Sequence, residues 1–242
     1  MQIELMDCTL RDGGYINNWN FKNKNILKII KELNTAKIEN IECGYLDINS
    51  FKENLSKFSS IDIFNAILQS EQKLNANLFL MIDYDDNEDL YLPEKNSQNQ
   101  YLSGFRLAFH KKDYKNILKK AEYILAKGYD LCLQPMITSI YSKQELLEMI
   151  NIINDLPVQA FYIVDSFGNI SNKELDFFIK LIDTSLKPSI KLGFHPHNNL
   201  QLAFANTLEA IRCGVDIIDG TIYGIGRASG NLTLETLIAY LQ

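Results

Sequence analysis

The sequence predicts an α/β protein, a (β/α)8 TIM barrel. The first observation behind this is an alternation: short β-branched or aromatic runs are separated by longer segments whose apolar residues recur every three or four positions. This pattern persists to the last residue and is the signature of a parallel sheet built from βα units. The second is the number of strand candidates, eight, which closes a barrel. The third is size. The chain has 242 residues, 46% of them apolar, 11% aromatic and 22% charged, and barrels run to about 250 residues as one unit with a large core.

In order, the strand candidates are Ile3–Cys8, Asn40–Tyr45, Asn77–Asp83, Gly104–Phe109, Asp130–Met136, Ala160–Asp165, Ile190–Phe194 and Asp216–Thr221. Helices fit between them at Lys24–Asn34, Tyr114–Lys127, Lys143–Asn154, Asn172–Thr184, Asn199–Cys213 and Leu232–Leu241. Ser142 with Glu145, and Ser171 with Glu174, have the spacing of capping boxes. Gly128 and Gly214 follow helical runs where a left-handed cap is wanted. The stretch Asp85–Tyr101, acidic and then Asn/Gln/Ser-rich, carries no convincing helix and reads as a lid or irregular loop. There is no linker, composition break or repeat beyond the βα unit, so one domain over 1–242 is expected. In such a barrel the active site lies at the carboxyl ends of the strands.

Composition narrows the function classes. With 24 basic and 30 acidic residues the formal net charge is −6, which gives no electrostatic reason to expect nucleic-acid binding. Lys-rich stretches alternate with acids and apolar residues and read as solvated helix faces. No run of about 18 uncharged apolar residues occurs, and the amino terminus Met1-Gln2-Ile3-Glu4-Leu5-Met6-Asp7 is acidic where a signal peptide is basic. No membrane association and a cytoplasmic location are therefore expected. Cys8, Cys43, Cys132 and Cys213 are scattered singly and read as reduced thiols, three of them in or beside strand-like runs. Homo-oligomerisation is left open.

Four motifs carry chemistry. His195-Pro196-His197 follows the run Ile190–Phe194, and residues two apart on an extended segment point to the same side. Two imidazoles can then share one metal ion; the alternative is a satisfied pair with no ligand. Asp7-Cys8-Thr9-Leu10-Arg11-Asp12-Gly13-Gly14 ends the first strand with two acids, an arginine and two glycines that permit close backbone approach. One carboxylate plus two imidazoles makes a metal-binding face with open positions, and Arg11 could neutralise an anionic oxygen. The competing reading is a turn in which Arg11 and Asp12 simply pair. Glu42, in Ile41-Glu42-Cys43-Gly44-Tyr45, is an acid on a buried strand and needs a partner, for which Arg11 is the candidate. Gly224-Ile225-Gly226-Arg227-Ala228-Ser229-Gly230-Asn231 lies after the eighth strand, where many barrels bind anions.

Together these motifs resemble the metal-dependent aldolase and lyase superfamily, the DRE-TIM metallolyases. That superfamily includes 4-hydroxy-2-oxovalerate aldolase, hydroxymethylglutaryl-CoA lyase, and the isopropylmalate and homocitrate synthases. The resemblance spans essentially the whole chain: DCTLRDGG at strand one, IECGY at strand two, HPHNNLQLAFANTLEAIRCGVDIIDGTI over strands seven and eight, and GIGRASGN after strand eight. It is strongest in character to the 4-hydroxy-2-oxovalerate aldolase branch. It implies that Asp12, His195 and His197 are ligands of a divalent metal, with Asn231 adding a further contact. It implies that Arg11 stabilises an enolate oxygen and that Glu42 holds Arg11 and a metal-bound water. Mn²⁺ or Mg²⁺ is preferred because enolate and carboxylate are hard oxygen donors, with Co²⁺ and Zn²⁺ open.

The departures are informative. Aldolases acting on 4-hydroxy-2-oxo acids have a histidine base three positions after the metal aspartate; that position here is Tyr15. A phenol, with an ordinary pKa near 10, is a poor base at neutral pH, though it could relay a proton. The run Tyr223–Ala228 has no cysteine, unlike the active-site loop of hydroxymethylglutaryl-CoA lyases. The sequence ends at Gln242, one helix after the glycine-rich turn, whereas the synthases and oxovalerate aldolases carry carboxyl-terminal extensions. The expectation is therefore a stand-alone divalent-metal aldolase, a carbon–carbon lyase. It would work through a pyruvate-type enolate on a polar, sugar-derived 2-oxo acid, with an aldehyde as the other partner. Asn17, Asn18, Tyr45, Arg106, Gln134 and Asp165 are candidates for hydroxyl recognition. The alternatives are a Claisen-type acyl-CoA synthase and a non-catalytic scaffold barrel of a biosynthetic pathway.

Overall fold

The computed structural model describes residues 3–50, 52–69, 74–85, 90–96 and 101–242. Among these residues nine strands form one parallel sheet: β1 (Glu4–Asp7), β2 (Asn40–Leu46), β3 (Lys57–Phe58), β4 (Asn77–Asp83), β5 (Leu102–Phe109), β6 (Asp130–Pro135), β7 (Ala160–Asp165), β8 (Lys191–Pro196) and β9 (Ile217–Gly220). Eight of them close on themselves in the order β1-β2-β4-β5-β6-β7-β8-β9, since β1 pairs with both β2 and β9. The two-residue β3, not foreseen in the sequence, pairs with β2 outside this ring. Helices α1 (Asn23–Thr35), α2 (Ile61–Leu68), α3 (Ile117–Ala126), α4 (Lys143–Ile153), α5 (Asn172–Asp183), α6 (Ala203–Arg212) and α7 (Leu234–Leu241) connect the strands. This is the (β/α)8 barrel expected.

Barrel strands are buried on both faces and so read as unbroken apolar runs; β2 and β7 are buried at every position. Their two faces feed different cores. Leu78, Leu80 and Ile82 of β4, Phe105 and Leu107 of β5, and Phe161 and Ile163 of β7 face outward and pack with helix residues such as Ile30, Ala121 and Leu175. Met6, Phe79, Cys132, Ala160, Tyr162 and Ile217 fill the barrel interior. Higher up, Tyr45, Met81 and Ala108 form a small cluster at the carboxyl-end mouth with Trp19 and Met136.

Both capping boxes form, Ser142 with Glu145 and Ser171 with Glu174, and Gly128 and Gly214 adopt the left-handed conformation that ends α3 and α6. The seventh barrel strand is longer than its apolar run suggests and includes His195. Between β4 and β5 the expectation of no helix holds among the described residues. Leu90 and Leu92 are buried there, and Lys95 N–H donates to the Lys127 carbonyl (2.9 Å). Part of the stretch Asp85–Tyr101, residues 86–89 and 97–100, lies outside the described residues. Among the described residues no helix is long and apolar enough to cross a membrane.

Candidate active site

The carboxyl end of β1 turns tightly: Asp12 N–H donates to the Cys8 carbonyl (2.8 Å) and Trp19 Nε1 to the Arg11 carbonyl (2.7 Å). This aims Arg11 and Asp12, both buried, across the barrel mouth. On β8 the two-residue period sends His195 and His197 inward with Gly193 between the strand's outward Leu192 and Phe194. Asp12 Oδ2 lies 3.5 Å from the Nε2 atoms of both histidines. The three groups lie close enough to hold one ion.

Each histidine is oriented by its other nitrogen. His195 Nδ1 is 2.7 Å from Asp219 Oδ2, and His197 Nδ1 is 3.1 Å from the Asp165 carbonyl oxygen. A carbonyl only accepts, so Nδ1 of His197 carries the proton and its Nε2 offers a lone pair toward Asp12. Both Nε2 atoms are buried without a hydrogen-bond partner, as is Asn231 Oδ1. Asn231 Nδ2 donates to Asp12 Oδ1 (3.0 Å) and to the Ile225 carbonyl (3.1 Å), and Arg227 N–H also donates to Asp12 Oδ1 (3.1 Å). The approach of this turn depends on Gly226, where a Cβ would sit 2.0 Å from Asn231 Nδ2 and 2.6 Å from Asp12 Oδ1.

Below this face lies a buried ion network. Glu42 Oε2 accepts from Arg11 Nε (2.7 Å) and Arg106 Nη1 (2.9 Å). Arg11 Nη1 donates to Asp12 Oδ2 (2.5 Å), and Arg106 Nη2 donates to Asp219. Three carboxylates, Asp12, Glu42 and Asp219, thus face two guanidiniums, leaving one negative charge uncompensated. Burial opposes charge at Arg11, Asp12, Arg106, His195 and Asp219. It is overcome at Asp12, where Arg11 and the two histidines hold the carboxyl well below its ordinary range. At His195 burial is likewise outweighed, and the flanking Asp12 and Asp219 raise the imidazole's pKa. A position that draws in positive charge and carries three orphaned lone-pair donors fits a divalent cation. Asp12, His195 and His197 would hold it, with Asn231 Oδ1 beside them.

The cavity above this face has a volume of about 290 Å³. Of the residues predicted from sequence, Arg11, Asp12, Tyr15, Tyr45, Gln134, His195 and His197 line it. Tyr15 stands at the rim, 43% exposed, in edge contact with Trp19. Tyr45 reaches the cavity through a bulge: β2 slips by one residue against β4 between Glu42 and Tyr45. Gly44 there has φ +136° and approaches the Ser56 carbonyl so closely that a Cβ would lie 2.0 Å from it.

Arg106 and Asp165 do not line the cavity. Arg106 is mid-strand, one layer lower, fully buried and stacked over the Tyr162 ring at 4.7 Å. Gln134 stands above it; with its amide oxygen turned to the guanidinium, it accepts from Arg106 Nε (3.2 Å) and Nη2 (2.6 Å). Asp165 has the parity of the outward-facing Phe161 and Ile163. Its carboxylate accepts from the N–H groups of Asn169 (3.0 Å) and Ile170 (3.2 Å), bracing the loop after β7. Asn17 and Asn18 are not among the lining residues either. The structure adds Asp219, which orients His195, and Asp83, His110 and Arg227 on the cavity wall. Asp219 had the same signal as Glu42, an acid inside an apolar strand.

Comparison with known proteins is consistent with this arrangement. The HMGL-like family profile matches residues 99–242, more than half of the chain. An oxaloacetate decarboxylase of Mycobacterium tuberculosis is 26% identical over 98% of this chain and 69% of its own length. A 4-hydroxy-2-oxovalerate aldolase of Carboxydothermus hydrogenoformans is 26% identical over 99% of this chain and 70% of its own. Among solved structures, the N-terminal domain of a candidate aldolase from Bacteroides vulgatus superposes with a TM-score of 0.81 at 28% identity, covering 99% of this chain and 79% of that one. The HMG-CoA lyase of Bacillus subtilis shares the fold, with a TM-score of 0.78 at 13% identity over 99% and 85% of the two chains. The chain belongs to the HMGL-like family and is an enzyme of its lyase and aldolase kind.

Proposed function

We propose that this protein is a divalent-metal-dependent carbon–carbon lyase that acts on a polar 2-oxo acid through a pyruvate-type enolate. The observation that carries the reading is Arg11. Its Nε and Nη1 are tied to Glu42 and Asp12, while Nη2 has no hydrogen-bond partner among the described residues and the residue lines the cavity beside the Asp12, His195 and His197 face. Asp12, His195 and His197 would hold a divalent ion, whose chemistry there would be Lewis-acid polarisation of the carbonyl of a 2-oxo acid.

The rest falls to the chain's own groups. Arg11, held by two carboxylates, keeps a fixed cation where negative charge develops on the enolate oxygen, with no reorganisation at the moment of bond breaking. Glu42 and Arg106 fix its orientation from below. Asp219 and the Asp165 carbonyl hold the two imidazoles with Nε2 toward the cavity. Gln134, Tyr45 and Ser166 offer neutral hydrogen-bonding groups on the wall, suited to the hydroxyls of a sugar-derived substrate. Arg106 and Asp165 would then serve recognition indirectly, through Gln134 and through the loop that carries Ser166 toward the Ile137 N–H (2.9 Å).

Decarboxylation of a 2-oxo diacid is the second reading: the Mycobacterium tuberculosis relative is an oxaloacetate decarboxylase, and that reaction would pass through the same enolate without a base for a hydroxyl. The test of the shared claim is solvent exchange of the pyruvate methyl protons, followed by NMR in deuterium oxide with Mg²⁺ or Mn²⁺ present. Wild type is expected to exchange and Arg11→Ala to lose exchange by at least a hundredfold. An unchanged rate in Arg11→Ala sinks the assignment.

A further inference from the structure

We propose that His110, with Asp83 beside it, is the group that takes the proton from the substrate hydroxyl during carbon–carbon bond cleavage. The inference rests on the enolate reading above and assigns the base that Tyr15 does not supply. The chain has three histidines. Two form the candidate metal face, and the third, His110, lines the same cavity from the other side.

Its placement follows from the strand period. On β5 the residues Arg106 and Ala108 face the barrel axis while Phe105, Leu107 and Phe109 face the helices. His110, directly after the strand, continues the inward set. On the neighbouring β4, Phe79 and Met81 face inward and Asp83 ends the strand on the same side. In the closed ring, β4 stands opposite β8, which bears His195 and His197, and β5 stands opposite β9. A substrate lying across the mouth would therefore meet the enolate-stabilising groups at one end and His110 with Asp83 at the other.

Other wall groups are poorer candidates. Tyr45 is buried and burial holds its phenol well above the ordinary value, so it stays protonated and cannot act as the base. Tyr15 is a phenol at the rim. Asp83 has its carboxyl raised by burial, and its surroundings include Arg11, Lys57 and His110. His110 is solvent-exposed, its imidazole makes no hydrogen bond among the described residues, and histidine is the side chain that exchanges protons near neutrality.

An imidazole nitrogen of His110 takes the proton of the C4 hydroxyl, and the O–H electron pair forms the aldehyde C=O. The C3–C4 bond breaks, and its pair passes into C2–C3, leaving the negative charge on the C2 oxygen beside Arg11. The enolate then takes a proton at C3 from solvent, and His110 returns its proton to solvent. The products are a 2-oxo acid and an aldehyde. Asp83, which ends the neighbouring strand on the same side of the mouth, is a positioning residue for the imidazole.

The experiment compares two reactions of the metal-loaded protein, cleavage of 4-hydroxy-2-oxovalerate and decarboxylation of oxaloacetate. Only the first releases a hydroxyl proton. In His110→Asn the ratio of cleavage to decarboxylation is expected to fall about 10² to 10⁴-fold, and added imidazole to restore part of it in His110→Ala. Asp83→Asn is expected to lower the same ratio about tenfold. An unchanged ratio in His110→Asn overturns the proposal, as does a wild type that decarboxylates but cleaves no 4-hydroxy-2-oxo acid. Loss of cleavage in Asp83→Asn with none in His110→Asn overturns it in favour of the carboxylate. A wild type that catalyses neither reaction instead rejects the enolate reading on which the proposal stands.

Discussion

Replacing Asp219 by asparagine tests the buried network beneath the cavity at its most connected point. Its Oδ2 meets both Arg106 Nη2 and His195 Nδ1, the latter at 2.7 Å, and all three residues are essentially inaccessible. The substitution keeps the shape and removes one charge. Arg106 then retains a single carboxylate, Glu42, which it already shares with Arg11. Breaking a buried pair from one side costs about 3 to 5 kcal/mol. For 242 residues the unfolding entropy corresponds to about 0.5 kcal/mol per degree, so the melting temperature should fall by roughly 6 to 10 °C. The asparagine can still accept from Nδ1 of His195, but more weakly, and metal affinity is expected to drop about 10 to 100-fold. Differential scanning calorimetry and a Mn²⁺ titration read the two effects. A melting temperature within 1 °C of wild type would refute the claim that Asp219 and Arg106 form a buried ionised pair.

Two further outcomes are expected. Asp7 is fully buried and, although Thr9 donates to it twice, burial lifts its pKa to about 7. The folded protein thus keeps a proton between about pH 4 and pH 7 that the unfolded chain has lost, so this group's contribution to stability falls as pH rises through that window. Asp7→Asn should match wild type near pH 4 and exceed it above pH 7 by up to about 4 kcal/mol; denaturant unfolding at both pH values checks this, and a pH-independent difference would contradict it. Gly226→Ala should displace Asn231 or Asp12, since its Cβ would come within 2.0 Å of Asn231 Nδ2. Mn²⁺ affinity measured by calorimetry is expected to fall at least tenfold.

Much of this was legible in the sequence because barrel strands are buried on both faces and leave strong apolar runs. The histidine pair was readable for the same reason, as polar residues closing one such run. Depth and parity were less so. Arg106 sits mid-strand, so its charge is spent on Glu42 and Asp219 rather than on the cavity. Asp165 shares parity with Phe161 and Ile163, a fact the two-residue period already contained. Tyr45 defies that period, because the bulge at Gly44 turns it inward. Such a bulge depends on contact with Ser56, twelve positions away, which no local pattern reports. The two-residue strand β3 has too few residues to leave a periodic signal.

If Asp12, His195 and His197 hold one divalent cation at the mouth of the barrel, titration of metal-free protein with Mn²⁺, followed by calorimetry and by loss of the free-ion paramagnetic resonance signal, will show it. One tight site per chain is expected in wild type, with at least a hundredfold weaker binding in His195→Ala and in His197→Ala. Wild type that binds no ion, or variants that bind as well as wild type, would rule this metal site out.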